Sequence, residues 1–313
     1  MQINLFKNIK NYLIKLRDGF YSFLDKRRLP FHKKVTLFDI GKVFVMGLVS
    51  GSLTTRASSI AFKIFLAVFP AILFVFTLIP YIPIDNFQDI LLSFFKDLMP
   101  NEAYLTVKDT ILDVATHKQG GLLSVGFITA MYFATNGISG IIAAFNATTL
   151  TLDTRTWYRQ QLISMILVLV MTVLITTAIA VTFFSGMFIN YLLEIEVLKV
   201  NFTYYLLFVA KWLTIGALYY FAIAFMYYYA PARRQNWKFF SFGSMVATIL
   251  TIFISVGFSY YVNNFGQYNK LYGSIGTLIV VLMWMYFNSL ILLIGFELNI
   301  SINNAENNKS MLS

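Results

Sequence analysis

Six long apolar segments dominate this sequence, and the loops between them alternate in charge. The segments read at about 57–83, 121–150, 162–190, 204–230, 240–262 and 273–298. Each is at least as long as the roughly 20 residues that cross a hydrocarbon core of about 30 Å at about 1.5 Å per residue. In lipid no water is present to bond a free backbone N–H or C=O, so each segment must satisfy its own backbone and is expected to be helical. The expected fold class is therefore all-α: a polytopic membrane bundle of six transmembrane helices.

The loop charges orient the bundle. Residues 1–42 carry ten Lys/Arg against three Asp. Loop 84–120 carries three Lys against six acids: Asp85, Asp89, Asp97, Glu102, Asp109 and Asp113. Arg155 and Arg159 lie in loop 151–161, and Arg233, Arg234 and Lys238 in loop 231–239. Loops 191–203 and 263–272 have one lysine each, Lys199 and Lys270. Basic residues in short loops stay on the cytoplasmic side. Both termini are thus expected inside, with loops 84–120, 191–203 and 263–272 outside. The alternation holds for every loop, which supports six crossings over five or seven.

Composition agrees with a lipid solvent. Hydrophobic residues make up 58% of the chain and charged residues 12%, about half the charged share of a soluble domain. The chain has no cysteine, which excludes disulfides and thiolate chemistry. The net charge of +10 raises the question of nucleic acid. Most of the excess sits in one juxtamembrane tail, where it suits anionic inner-leaflet headgroups instead. Membrane lipids are the expected partners, and nucleic acid is not. The start, Met1 to Lys42, lacks the uninterrupted apolar core of a cleavable signal peptide, so the first span is expected to act as an uncleaved anchor.

Three units follow: an N-terminal basic amphipathic segment over 1–55, a transmembrane domain over 56–300, and a cytoplasmic tail over 301–313. Within the first, residues 3–24 align Leu5, Ile9, Tyr12, Leu13, Leu16, Phe20 and Phe23 on one helical stripe, with a basic face elsewhere. This helix either lies on headgroups or packs under the bundle. Residues 39–55 contain an apolar run too short to cross. Loop 84–120 carries two helical patterns broken at Pro100 and Asn101, which predicts a helical hairpin on the outer face.

Polarity inside the spans is sparse, and an ionisable residue at that depth must face the bundle interior, water or a headgroup. Arg56 and Lys63 lie seven residues apart on one face of the first span, and Glu297 lies in the last turn of the sixth. All three fall near the cytoplasmic leaflet, so an ion pair is plausible there, while Lys63 has the alternative of snorkelling to headgroups. Lys211 enters the fourth span, and Asn136, Asn146 and Asn288 add uncharged polarity suited to interhelical hydrogen bonds. In the second span Gly126, Ala130 and Ala134 recur every four residues, with Gly137 and Gly140 on a neighbouring face, a pattern that admits a close helix. Pro70, in the middle of the first span, removes a backbone hydrogen bond and should bend the helix. Such a hinge either lines a cavity or serves packing.

Familiar enzyme chemistry is missing. The two histidines, His32 and His117, fall on opposite expected sides of the membrane and share no metal site. No phosphate-binding loop, dinucleotide fingerprint or nucleophile elbow occurs. The chain is accordingly expected to be a non-enzyme with no metal or cofactor.

Several strings, in order along 56–300, resemble the YihY / virulence factor BrkB family, formerly labelled the ribonuclease BN family. They are Arg56-Ala-Ser-Ser-Ile-Ala-Phe through Phe69-Pro70; Asn146 followed by Asp153, Arg155 and Trp157; Tyr229-Ala230-Pro231 with Arg233, Arg234, Trp237 and Gly243; and Tyr272-Gly273-Ser274-Ile275-Gly276 with Trp284, Tyr286 and Gly295-Phe296-Glu297-Leu298-Asn299. The resemblance implies a six-span protein of the bacterial inner membrane. The ribonuclease label fits poorly, because zinc ribonucleases need a histidine-and-aspartate cluster. Relatives linked to serum resistance or to lipid movement point elsewhere. The expected function is transport or flipping of a lipid or another anionic amphipathic solute. Arg56, Lys63, Asn146, Arg155, Arg233, Arg234 and Glu297 are the candidate headgroup contacts, and Pro70 the candidate hinge. The competing reading is a non-catalytic envelope scaffold.

Overall fold

The computed structural model describes residues 28–29, 32–36, 52–81, 120–148, 155–195, 202–232, 238–265 and 274–312. The amphipathic stripe over 3–24, the apolar run over 39–51, the outer hairpin over 84–119, and Arg233 and Arg234 lie outside the described residues. Six helices carry the fold: α1 (Leu53–Leu78), α2 (Gly120–Thr148), α3 (Trp157–Glu194), α4 (Phe202–Tyr229), α5 (Phe242–Phe265) and α6 (Ser274–Leu312). All six are long and apolar enough to cross a membrane. A 3-10 turn, Ile79–Tyr81, follows α1.

Two differences from the sequence reading stand out. A short antiparallel hairpin, β1 (Arg28–Leu29) and β2 (His32–Thr36), occupies part of the N-terminal segment. The Val-Thr end of β2 suits extended backbone. At the other terminus α6 runs on through residues assigned to the tail, as far as Leu312. No Gly or Pro interrupts Asn299–Leu312, so nothing stops the helix at the membrane edge. Ile302 and Ala305 there are buried beside Phe242 and Leu298.

The helices form a closed ring in chain order. Each packs on its sequence neighbours, and α6 closes onto α1 while β2 lies beside α6. The α1/α2 pair is antiparallel and in step over its whole length. A methyl group added at Gly126 would stand 3.2 Å from Phe74 Cα, one at Gly137 3.7 Å from Ile64, and one at Gly140 2.7 Å from the Lys63 side chain. The small residues of α2 thus admit α1. Helix α1 runs through Pro70 without a break, and the pairing with α2 keeps its register on both sides of it. Ser139 and Ser164 join α2 to α3 through their hydroxyls at 2.9 Å.

Burial is uneven along the ring. One buried cluster gathers Ala57 and Ile60 of α1, Ile142 and Phe145 of α2, Leu167 of α3, Ile223 and Tyr227 of α4, Ala247 of α5, and Leu293 and Phe296 of α6. Every one of these lies toward the end that carries the basic loops. Elsewhere large apolar side chains point outward, among them Val173, Leu213, Phe253 and Val256. In water such a surface would drive association; in a bilayer it is the lipid contact.

Candidate functional site

The site is built around one turn of α6, Gly295 to Asn299, at the basic end of the ring. Each polar or aromatic position of that turn reaches a different part of the bundle. Gly295 has no room for a side chain: a Cβ there would meet the Tyr227 hydroxyl at 2.5 Å and Ala247 Cβ at 2.6 Å. The absent side chain lets the Tyr227 hydroxyl of α4 donate to the Leu292 carbonyl at 2.6 Å. Opposite Gly295 on α5 stands Gly243, whose own Cβ would collide with the Gly295 carbonyl oxygen. Two glycines face to face let the α5 and α6 backbones touch.

Phe296 packs between α2 and α4. Its ring stacks on Phe145 of α2 with centroids 4.0 Å apart and meets Tyr227 of α4 edge-on at 5.5 Å. Phe145 and Tyr227 close the triangle at 5.6 Å. All three are buried. Alternate helices of the ring thus contribute one aromatic ring each to a single buried plug near its basic end.

Glu297 turns toward α1 and α2. It is 6% exposed and interacts electrostatically with Arg56, with the Thr148 hydroxyl beside its carboxylate. Arg56 is half-buried in the first turns of α1. Its Nη1 donates to the Ala144 carbonyl at 2.9 Å and to the Thr148 hydroxyl. The remaining groups are buried without hydrogen-bond partners: Nε and Nη2 of Arg56, and Oε2 of Glu297. Buried polar atoms are nearly always paired, so three unpaired ones in one cluster set this place apart.

Asn299 completes the turn. Its side-chain oxygen accepts from the Gly243 N–H at 2.7 Å, and its amide donates to the Ser241 hydroxyl at 2.8 Å. It therefore caps the start of α5, whose first N–H groups have no helical partner.

The other candidate residues separate into two groups. Asn146 and Arg155 hold the chain that follows α4. The Asn146 side-chain oxygen accepts from the Ala232 N–H at 2.9 Å, and Arg155 donates to the Ala230 carbonyl at 3.1 Å. Lys63 lies two turns deeper than Arg56 on α1, about 10 Å along the helix, with its stem across Gly140. Pro70 is about 21 Å along α1 from Arg56, away from the cluster. Of the residues that sequence reasoning named, the structure brings Arg56 and Glu297 together and places Asn146 on the neighbouring turns of α2. That reasoning did not single out Phe145, Tyr227, Thr148 or Asn299 as site residues. The Gly243 and Gly295 pair, visible in the sequence, was the signal for the close helix crossing that assembles them.

Comparison with known proteins follows from this arrangement. The sequence matches the family described as Virulence factor BrkB over residues 45–312, which includes the whole site. It is 28% identical over 251 residues to the ribonuclease-like protein YfkH of Bacillus subtilis, covering 78% of this chain and 88% of that protein. It is also 34% identical over 88 residues to a UPF0761 membrane protein of Alteromonas mediterranea, covering 28% of this chain and 30% of that one. A UPF0761 membrane protein of Idiomarina loihiensis is 32% identical over 77 residues, 27% of its length. The chain therefore spans most of YfkH but under a third of these UPF0761 proteins. No solved structure matches. With six membrane-crossing helices and a family match over most of its length, this chain belongs to the virulence factor BrkB family and is a multi-pass bacterial membrane protein.

Proposed function

We propose that this protein moves a lipid or another anionic amphipathic solute across the membrane, without an enzymatic step. One observation carries the reading: a half-buried arginine and a buried glutamate with unused hydrogen-bonding groups, set beside an aromatic plug in a closed ring of helices. Charge at membrane depth is costly and is retained mainly where it handles a substrate or an ion. The aromatic plug is read as the closed end of a pathway between the helices. The loop charges assign that end to the cytoplasm, which puts Arg56 and Lys63 near the anionic inner leaflet. The name of YfkH speaks of ribonuclease; in this chain the two histidines, His32 and His117, are far apart in sequence and the reading needs neither.

The test is lipid movement in vesicles of phosphatidylethanolamine and phosphatidylglycerol containing a trace of tail-labelled phosphatidylglycerol. Wild-type protein is expected to expose the label to an external quencher faster than protein-free vesicles do. Arg56→Ala removes charge-assisted hydrogen bonds and is expected to slow the rate about tenfold or more. A wild-type rate equal to that of protein-free vesicles would overturn the reading and favour the scaffold.

A further inference from the structure

We propose that Glu297 is a proton-binding site, and that its ionisation draws it onto Arg56 and shifts the Phe296 plug. This inference rests on the transporter reading and names its energy source, a proton gradient. It begins with the geometry of the unused groups. Arg56 does not depend on Glu297 for its position: Nη1 is held by the Ala144 carbonyl and the Thr148 hydroxyl. Its Nε and Nη2 donors, the edge that pairs with carboxylates, are unmade. Glu297 is 6% exposed and its Oε2 accepts nothing. A carboxylate locked by donors on both oxygens has no place for a proton, whereas this one has Oε2 open.

Two states follow from the chemistry. With a proton on Oε2, Glu297 is neutral and its charge attraction to Arg56 is lost, a state in which the Nε and Nη2 donors stay unmade. Once the proton leaves, a buried carboxylate faces a guanidinium edge with two free donors, and the pair gains most by closing. The Thr148 hydroxyl adapts to either state. It accepts from Arg56 and has one proton, for which the Ala144 carbonyl at 3.2 Å and the Glu297 carboxylate compete.

Among the described residues around this turn, Glu297 is the one that carries a carboxyl group. From α1 come Arg56 and Lys63, and the Lys63 stem lies two turns away across Gly140. From α2 come Thr148 and Asn146, neither of which ionises. The Tyr227 hydroxyl of α4 is bonded to the Leu292 carbonyl, and Arg155 to the Ala230 carbonyl. Helix α5 meets this turn through Gly243, Ser241 and Ala247. Strand β2, beside α6, has His32, Lys33 and Lys34 in its sequence.

Closure has a consequence for the plug because Phe296 is the next residue. Bringing Glu297 toward α1 moves the same turn of α6 that stacks Phe296 on Phe145 at 4.0 Å. Protonation would thus hold the plug shut, and deprotonation would strain it.

Two measurements on the full-length protein in nanodiscs test this without any transported substrate. Infrared difference spectra on acidification should show a carboxylic acid band that is missing in Glu297→Gln. Because the chain has no native cysteine, spin labels at Thr55→Cys and Asn304→Cys report the α1–α6 distance directly. That distance should shorten as pH rises in the otherwise wild-type protein, and stay constant with pH when Glu297→Gln is added. Arg56→Gln should keep the infrared band and lose the movement. Absence of any pH-dependent distance change in the otherwise wild-type pair, or an infrared band that survives Glu297→Gln, would overturn the proposal. Neither result depends on lipid movement, so the two readings fail separately.

Discussion

At the scale of single residues, one methyl group is enough to separate α5 from α6. A Cβ on Gly243 collides with the Gly295 carbonyl, and backbone cannot step aside as a flexible side chain can. Gly243→Ala is therefore expected to cost about 1–3 kcal/mol and to lower the melting temperature of the detergent-solubilised protein. Gly216→Ala is the control: nothing stands within 4 Å of its added Cβ, so its melting temperature should hold or rise. A second expectation concerns Asn146, which holds the Ala232 N–H. Asn146→Ala should speed hydrogen exchange at that amide by about two- to tenfold, the range for losing one hydrogen bond of about 0.5–1.5 kcal/mol. Residues at this scale differ in how well the sequence displays them. Arg56 and Glu297 were legible because a charge in an apolar run needs an explanation. Phe145, Tyr227 and Phe296 were not, because the chain has 32 Phe and 19 Tyr. Their chemistry is the same whether they face lipid or the ring axis. Only the packing of α2, α4 and α6 tells them apart.

Among the elements, α1 and α2 form the most continuous pair. Gly126, Gly137 and Gly140 meet Phe74, Ile64 and Lys63 in strict antiparallel order. Ile64→Cys with Gly137→Cys should therefore form a disulfide on mild oxidation, whereas Phe62→Cys with Gly137→Cys should not, since Phe62 is 57% exposed on another face. A gel shift without reductant reads both. The pairing also refines the expectation for Pro70. Proline costs α1 one backbone hydrogen bond, yet the register with α2 is the same before and after it. The sequence revealed that α1 lacks a backbone hydrogen bond at Pro70, but the continued pairing with α2 beyond it depends on contacts no single segment records. Ends of elements were less legible than their middles for a similar reason. Helix α6 continues to Leu312 because Asn299–Leu312 is permissive rather than strongly helical, and packing of Ile302 and Ala305 settles the matter.

For the whole molecule, each helix packs on its neighbours in the chain and α6 also touches α2; loop charge gave the number of crossings, not this packing order. The lopsided burial was not legible either. Hydropathy reports that a segment is apolar, and lipid is as apolar as a protein core, so it does not say which half of a helix meets its neighbours. The orientation inferred from loop charge has its own check. A single cysteine at Glu194, an exposed residue at the far end of α3, should react with a membrane-impermeant maleimide on intact cells. One at Arg159, exposed at the near end of the same helix, should react only after permeabilisation.

The extension of α6 gives the molecule a lever. From Gly295 to Leu312 the helix continues for about 25 Å at about 1.5 Å per residue. A tilt of about 10° at the crowded turn would swing its far end by about 4 Å, since displacement grows with arm length. A reporter fused rigidly to that arm would register, at a distance and on an enlarged scale, a movement too small to see at its pivot.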